Sequence, residues 1–225
     1  MEQMDEILQQ GIITLTAARK HAASDGTDGI ADGQIKTLEG QLGEAGLKNN
    51  EQQAAVQKAA GLTQQQNEKM ADSTAAIKRI REAAKGEYGE ENKALMKEFH
   101  VGDAVTHSVK KLTTELTYLQ GVAQTHNVDL AKHGIRDVEI QGLGALASSL
   151  SGIDAEQEIA KKQQKAKTSE RDAAMKALRR TIARVRHSAK SIFADDPTVL
   201  AEFELIGRAK GAKQPPPTPP PTQTK

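Results

Sequence analysis

Gly29-Ile30-Ala31-Asp32-Gly33-Gln34-Ile35-Lys36-Thr37-Leu38 returns later in the chain as Gly134-Ile135-Arg136-Asp137-Val138-Glu139-Ile140-Gln141-Gly142-Leu143, with Gly, Ile, Asp, Ile and Leu in the same places. The spacing of 105 positions holds without a gap well beyond this stretch. Glu51-Gln52 falls on Glu156-Gln157, Ala55 on Ala160, Thr63 on Thr168 and Met70 on Met175. Ile77-x-Arg79-x-Arg81 falls on Ile182-x-Arg184-x-Arg186, and Ala84-Lys85 on Ala189-Lys190. From 29 to 96 about a quarter of the positions are identical, with conservative swaps such as Ile80/Val185 and Tyr88/Phe193. A repeat of this length sets the architecture before any other signal does. It predicts two tandem copies, 1–103 and 104–209, followed by a Pro-rich tail, 210–225.

Only 37% of the 225 residues are apolar and 2% aromatic, so the core has to be built from Ala, Ile, Leu, Val and a few Met. A chain rich in Ala, Gln, Lys and Glu and poor in aromatics reads as helical rather than β. With no Cys, disulfides, thiol chemistry and Cys-ligated metal sites are excluded. The formal net charge of +1 supplies no global field that would draw the chain to nucleic acid. Met1-Glu2-Gln3-Met4-Asp5-Glu6 is acidic where a secretory signal peptide is basic, and no apolar run approaches the roughly 18 residues of a membrane span. The expectation is a cytoplasmic protein with no transmembrane segment; export by a route that needs no such signal stays open.

Periodicity gives the elements. Met4, Leu8, Gly11, Leu15, Ala18 and Ala22 step by fours and threes over 3–23, and Val109, Leu112, Leu116, Leu119, Ala123 and His126 do so over 105–127. Such seams belong to amphipathic helices packed nearly parallel to a neighbour, as in coiled coils. Short helices carrying Ile35, Leu38 and Leu42, or Ile140, Leu143, Ala147 and Leu150, follow in each copy. Their glycines (Gly40, Gly43; Gly142, Gly144) recur and favour close helix–helix approach over a loose surface element. The longest segments run from 50 to 85 and from 154 to 190, with Asp154 as N-cap and Gln157 at the capping-box position of the second. Their first halves are Ala/Gln/Lys-rich, able to project as a stalk or to pack weakly through alanine. Each copy closes with a short helix: Leu95, Met96 and Phe99 after Gly89, and Val199, Leu200, Phe203 and Leu205 after Asp196-Pro197, an N-cap followed by Pro at the first helical position. The tail beyond Gly211 reads as an extended polyproline arm, either solubilising or docking. The fold expected is all-α: duplicated helical-bundle units with long antiparallel helices.

Constellations for catalysis are missing from the sequence: no phosphate loop, no G-x-G-x-x-G, no G-x-S-x-G, no H-E-x-x-H and no Glu-x-x-His. No enzyme activity, cofactor or metal is expected. His21 and His126 align between copies at helix C-termini, where a histidine commonly serves as dipole partner or cap. One local imbalance stands out. Between 161 and 190 lie eleven cations, among them Arg179, Arg180, Arg184, Arg186 and Lys190, against Glu170 and Asp172. With the repeated Arg79, Arg81 and Lys85 these are the candidate anion- or partner-binding residues; as ordinary structure they form the solvated face of a repeated helix. Acid-rich N-terminal segments that could neutralise them, and the lack of aromatic platforms, weigh against nucleic acid.

The block Arg171-Asp172-Ala173-Ala174, Arg184-Val185-Arg186 and Phe193-Ala194-Asp195-Asp196-Pro197-Thr198-Val199-Leu200-Ala201-Glu202-Phe203 resembles the ending of a group of uncharacterised bacterial all-helical proteins. In that group a long helix leads into an F-x-D-D-P-x-x-L-x-x-F element. The resemblance implies a helical bundle and carries no activity, cofactor or partner with it. The function expected is that of a non-enzymatic structural or scaffolding protein, a homo-oligomer or one bound to a protein partner. The alternative is a binder of anionic surfaces, nucleic acid or acidic membrane, through the basic helix 161–190.

Overall fold

A computed structural model describes residues 2–24, 28–89 and 91–204, and among them the chain is all-α. Seven helices follow in order: α1 (Glu2–Lys20), α2 (Asp32–Tyr88), α3 (Lys93–Glu98), α4 (Val109–Thr125), α5 (Asn127–Ala131), α6 (Asp137–Ile192) and α7 (Pro197–Glu202). The tail, Leu205 and Gly207 lie outside the described residues. Asp196 accepts from the backbone N–H groups of Thr198 and Val199, with Pro197 opening α7 behind it. Asn92 caps α3 in the same way, through the Leu95 N–H.

The glycine-bearing segments are not separate short helices. They run unbroken into the long ones, giving α2 57 residues and α6 56 residues. Each glycine weakens a helix by up to about 1 kcal/mol, but no proline interrupts either run, so the backbone ladder continues through them. Asp154 is accordingly no cap; its carboxylate accepts from the Gln66 side chain. Nor do these glycines mediate close approach in general. A Cβ added at Gly40, Gly43 or Gly142 would meet nothing within 4 Å, and only Gly144 is covered, by the Gln120 side chain.

The glycine opening each repeated motif is required, for two different reasons. A Cβ on Gly29 would lie 2.5 Å from the Ala23 backbone nitrogen, where Ala23 and Ile30 pair through an N–H···O bond of 2.9 Å. Gly134 instead has φ of +78°, a left-handed conformation that glycine adopts at least cost.

The chain forms two compact units, and their boundaries fall inside α2 and α6. Unit 1 comprises 1–50 and 169–225; unit 2 comprises 51–168. Compact units and sequence copies therefore cut the chain differently, since each unit takes its first helix and the start of a long helix from one copy and its closing elements from the other. The core of unit 1 is Ile7 and Ala18 of α1, Ile35 and Leu38 of α2, Leu178, Ile182 and Val185 of α6, and Phe203 after α7. The core of unit 2 places Leu112, Leu116 and Leu119 of α4 against Ile77 and Ile80 of α2 and Ile140, Leu143 and Leu150 of α6, with Phe99 after α3. In unit 2 the long helices run antiparallel, Arg79 meeting Glu139 and Glu51 meeting Lys167. In unit 1 they do likewise, Gln34 meeting Ser188 and Lys48 meeting Glu170.

The seam expected on α4 is the one buried: Leu112, Leu116, Leu119 and Ala123 are all inaccessible. On α1 the expected seam is shifted. Ala22 is exposed beyond the helix end, and Ile7, Thr14 and Ala17 join Gly11, Leu15 and Ala18 inside. Shifted by the repeat, the buried α1 residues Ile7, Gly11, Thr14, Ala17 and Ala18 correspond to Leu112, Leu116, Leu119, Val122 and Ala123. The Ala/Gln-rich stretch of unit 2 packs weakly through alanine, in a small cluster of Ala59, Leu62 and Ala160. Hydrogen bonds from Gln157 to Thr63 and from Gln66 to Asp154 reinforce it.

Candidate anion-binding face

The part of α6 in unit 1 is amphipathic in an unusual way: its inner face is aliphatic and its outer face almost purely cationic. Ala174, Met175, Leu178, Ile182, Val185 and Ala189 are buried, and this is what fixes the rotation of the helix. Lys176, Arg179, Arg180, Arg184, His187 and Lys190 are exposed and Arg186 half-buried. At 3.6 residues per turn the direction opposite this buried set is held by Lys176, Arg180 and His187, with Arg184 on one flank and Lys190, Arg179 and the half-buried Arg186 on the other, roughly 50–110° away. The nearby carboxylates are already engaged: Asp172 by Arg171 at 2.7 Å, and Glu170 by Lys48 at 3.0 Å. Among the described residues no hydrogen bond or ion pair joins Arg179, Arg180, Arg184, Arg186 or Lys190 to another side chain. The neutralisation expected from the acid-rich N-terminal segments does not reach them.

The repeated arginines behave differently in unit 2. Arg79 pairs with Glu139 at 2.9 Å. Arg81 is buried, 7% exposed, and donates to Glu115 at 2.8 Å and to the Asp103 carbonyl at 2.7 Å. Glu115 also bonds Nδ1 of His100, whose ring stacks on Tyr118 at 4.7 Å. Lys85 is exposed. The repeat shows why unit 1 differs. The position of Glu139 is held by Gln34, and the position of Glu115 by Gln10. Both carboxylates that would neutralise Arg184 and Arg186 are amides, and Gln34 donates instead to Ser188 at 3.0 Å. Conversely, Lys176, Arg179 and Arg180 stand where unit 2 has Ala71, Thr74 and Ala75. Comparing identical positions alone misses these exchanges; comparing the partners of identical positions finds them.

The histidines aligned by the repeat sit in matching aromatic triads. His21 lies 5.5 Å from Phe193 and 6.2 Å from Phe203 in unit 1; His126 lies 5.9 Å from Tyr88 and 5.7 Å from Phe99 in unit 2. The His21 and His126 backbone N–H groups close the ends of α1 and α4 by donating to Ala17 and Val122. Tyr88 also donates to Asp129, and burial together with that carboxylate pushes its hydroxyl up to about 12. A Lys-His dipeptide grips a glutamate in each unit, from non-equivalent positions. Lys20 and His21 hold Glu202, and Lys132 and His133 hold Glu87, with both carboxyls kept below the usual range by the lysine first and the histidine second.

Among the described residues no group of three His, Cys, Asp or Glu side chains is placed to hold a metal. A groove of about 600 Å³ beside α4 in unit 2 is lined by Arg81, Lys110, Lys111 and Thr114, but the Arg81 guanidinium there is already committed to Glu115 and Asp103. No described helix is long and apolar enough to cross a membrane. Compared with protein-family models, with curated proteins and with solved structures, the chain matches none.

Proposed function

We propose that this is a non-catalytic binding protein whose working surface is the cationic outer face of α6 in unit 1, held in place by the helical scaffold for an anionic macromolecular partner. The observation that carries the reading is the exchange of Glu139 and Glu115 for Gln34 and Gln10. It leaves Arg184 and Arg186 without the carboxylates their counterparts have, next to three cations that unit 2 lacks. Exposed like charges repel, and a surface ion pair contributes only about 0.2–1 kcal/mol. At the exposed Arg184 the missing pair therefore costs the fold little, and Arg186 is half-buried rather than buried like Arg81, so both guanidinium groups are available to a ligand. The expectation of helix-mediated self-association draws less support, because the seams it rests on are occupied within the chain: Leu112, Leu116 and Leu119 are inaccessible. Retention on a heparin column at low salt tests the proposal. The full chain is expected to bind and to elute with salt, and Arg179, Arg180, Arg184 and Arg186 changed together to Ala are expected to abolish retention. Undiminished retention of that variant would overturn it.

A further inference from the structure

We infer that the anionic partner is double-stranded DNA, held through its phosphates with the C-terminal part of α6 lying along the major groove; this rests on the cationic-face reading above. The charge wraps round the exposed side of the helix. A flat anionic surface meets only the crest of a helix, which here carries Lys176, Arg180 and His187. Cations also stand well down both flanks, Arg184 on one and Lys190 and Arg179 on the other, where they face the walls of a groove rather than its floor. A helix of about 10–12 Å diameter with its side chains fits a major groove of about 12 Å, and each wall of that groove is a line of phosphates. From Lys176 to Lys190 the helix rises about 21 Å, a length over which duplex DNA presents roughly 12 phosphates.

The other polyanions fit less well. Binding in a membrane interface needs an apolar face to enter the acyl boundary, and the apolar face of this helix is spent in the core, with Leu178 and Val185 inaccessible. Single strands are held by stacking on aromatic rings, and both aromatic rings of unit 1, Phe193 and Phe203, are committed to the His21 triad. Duplex RNA has a major groove too narrow and deep for a helix. With Arg184, Arg179 and Lys190 facing the walls, the affinity comes chiefly from phosphates, which carry no sequence information directly. Past Glu204 the sequence adds Arg208, Lys210, Lys213 and Lys225 and no acidic side chain, a basic continuation of unit 1.

The test is fluorescence anisotropy of a short labelled DNA duplex of mixed sequence with the full chain. Binding is expected to weaken about a hundredfold between roughly 50 and 200 mM salt if four phosphates are neutralised. R179A/R180A/R184A/R186A is expected to lose at least tenfold in affinity, with a shallower salt dependence. The second variant, Q10E/Q34E, writes the carboxylates of unit 2 into unit 1. It is expected to weaken binding several-fold with the helical circular dichroism unchanged, while R79A in unit 2 leaves binding as it is. Duplex RNA, single-stranded DNA, phosphatidylserine vesicles and polyglutamate serve as competitors, each expected to be the weaker ligand. Arginine-dependent binding to vesicles or polyglutamate without binding to duplex DNA would overturn the DNA inference and leave the cationic-face reading standing. Binding to none of them overturns both, as does duplex binding that neither variant weakens.

Discussion

Units 1 and 2 are built from corresponding pieces of one repeat, and they use the same pair of arginines in opposite ways. In unit 2 both are taken up within the bundle: Arg79, at the surface, pairs with Glu139, and the buried Arg81 is closed by Glu115 with the Asp103 carbonyl. In unit 1 the positions of those two carboxylates are held by Gln34 and Gln10, and Arg184 and Arg186 stay available. The difference teaches that a conserved side chain within a repeat reports shared geometry, while its function is decided by what stands opposite. Two amide-for-carboxylate exchanges convert a structural arginine pair into part of a ligand surface.

The largest expected effect comes from forcing unit 2 to resemble unit 1. Glu115→Gln leaves the buried Arg81 without its carboxylate, and breaking a buried pair costs about 3–5 kcal/mol; urea unfolding followed by circular dichroism should show it. Arg186→Ala, which removes the unit 1 counterpart of Arg81, should stay within about 0.5 kcal/mol. Equal losses for the two would erase the contrast. A smaller effect with opposite sign is expected at Thr14, whose buried hydroxyl has no hydrogen-bond partner and whose repeat counterpart is Leu119. Thr14→Val removes an unsatisfied polar group and should stabilise unit 1 by about 1–3 kcal/mol.

The smallest effect separates the two triads by pH. Tyr88 has Phe193 as its counterpart, and the Tyr88 hydroxyl is raised to about 12 from the ordinary 10.0 by burial first and Asp129 second. A group raised on folding contributes stability that is intact below its unfolded value and lost as pH rises through the folded one. Unit 2 should therefore weaken between about pH 10 and 12, and Tyr88→Phe should remove that weakening. Ultraviolet titration of tyrosinate, with and without the substitution, reads it directly.

Much of the fold was legible from the sequence because its signals are local. The α4 seam is a run of leucines at helical spacing, and Asp196-Pro197 opens α7 as that pair of residues predicts. The α1 seam was harder because its buried column includes Thr14 and Ala17, which carry little hydrophobic signal where α4 has Leu119 and Val122. The joining of short and long helices was hidden by glycines that weaken a helix without ending it. The arginines of the candidate face were legible as charge. Their availability was not, because it depends on Gln10 and Gln34, residues distant in sequence and unremarkable until the bundle brings their positions to α6.

The division of the chain also orders its assembly in time. Unit 2 is one uninterrupted stretch, so all of it exists once the chain has been made as far as Thr168. Unit 1 has to wait, because its first fifty residues lack the second half of their core until Met175, Leu178, Ile182 and Val185 have been synthesised. Closing contacts so far apart in sequence carries the entropy cost of a long loop and slows folding, but a folded unit 2 within that loop shortens the free chain. The part of α6 that carries the cationic face is thus the last long stretch of helix to be synthesised, after every residue of unit 2.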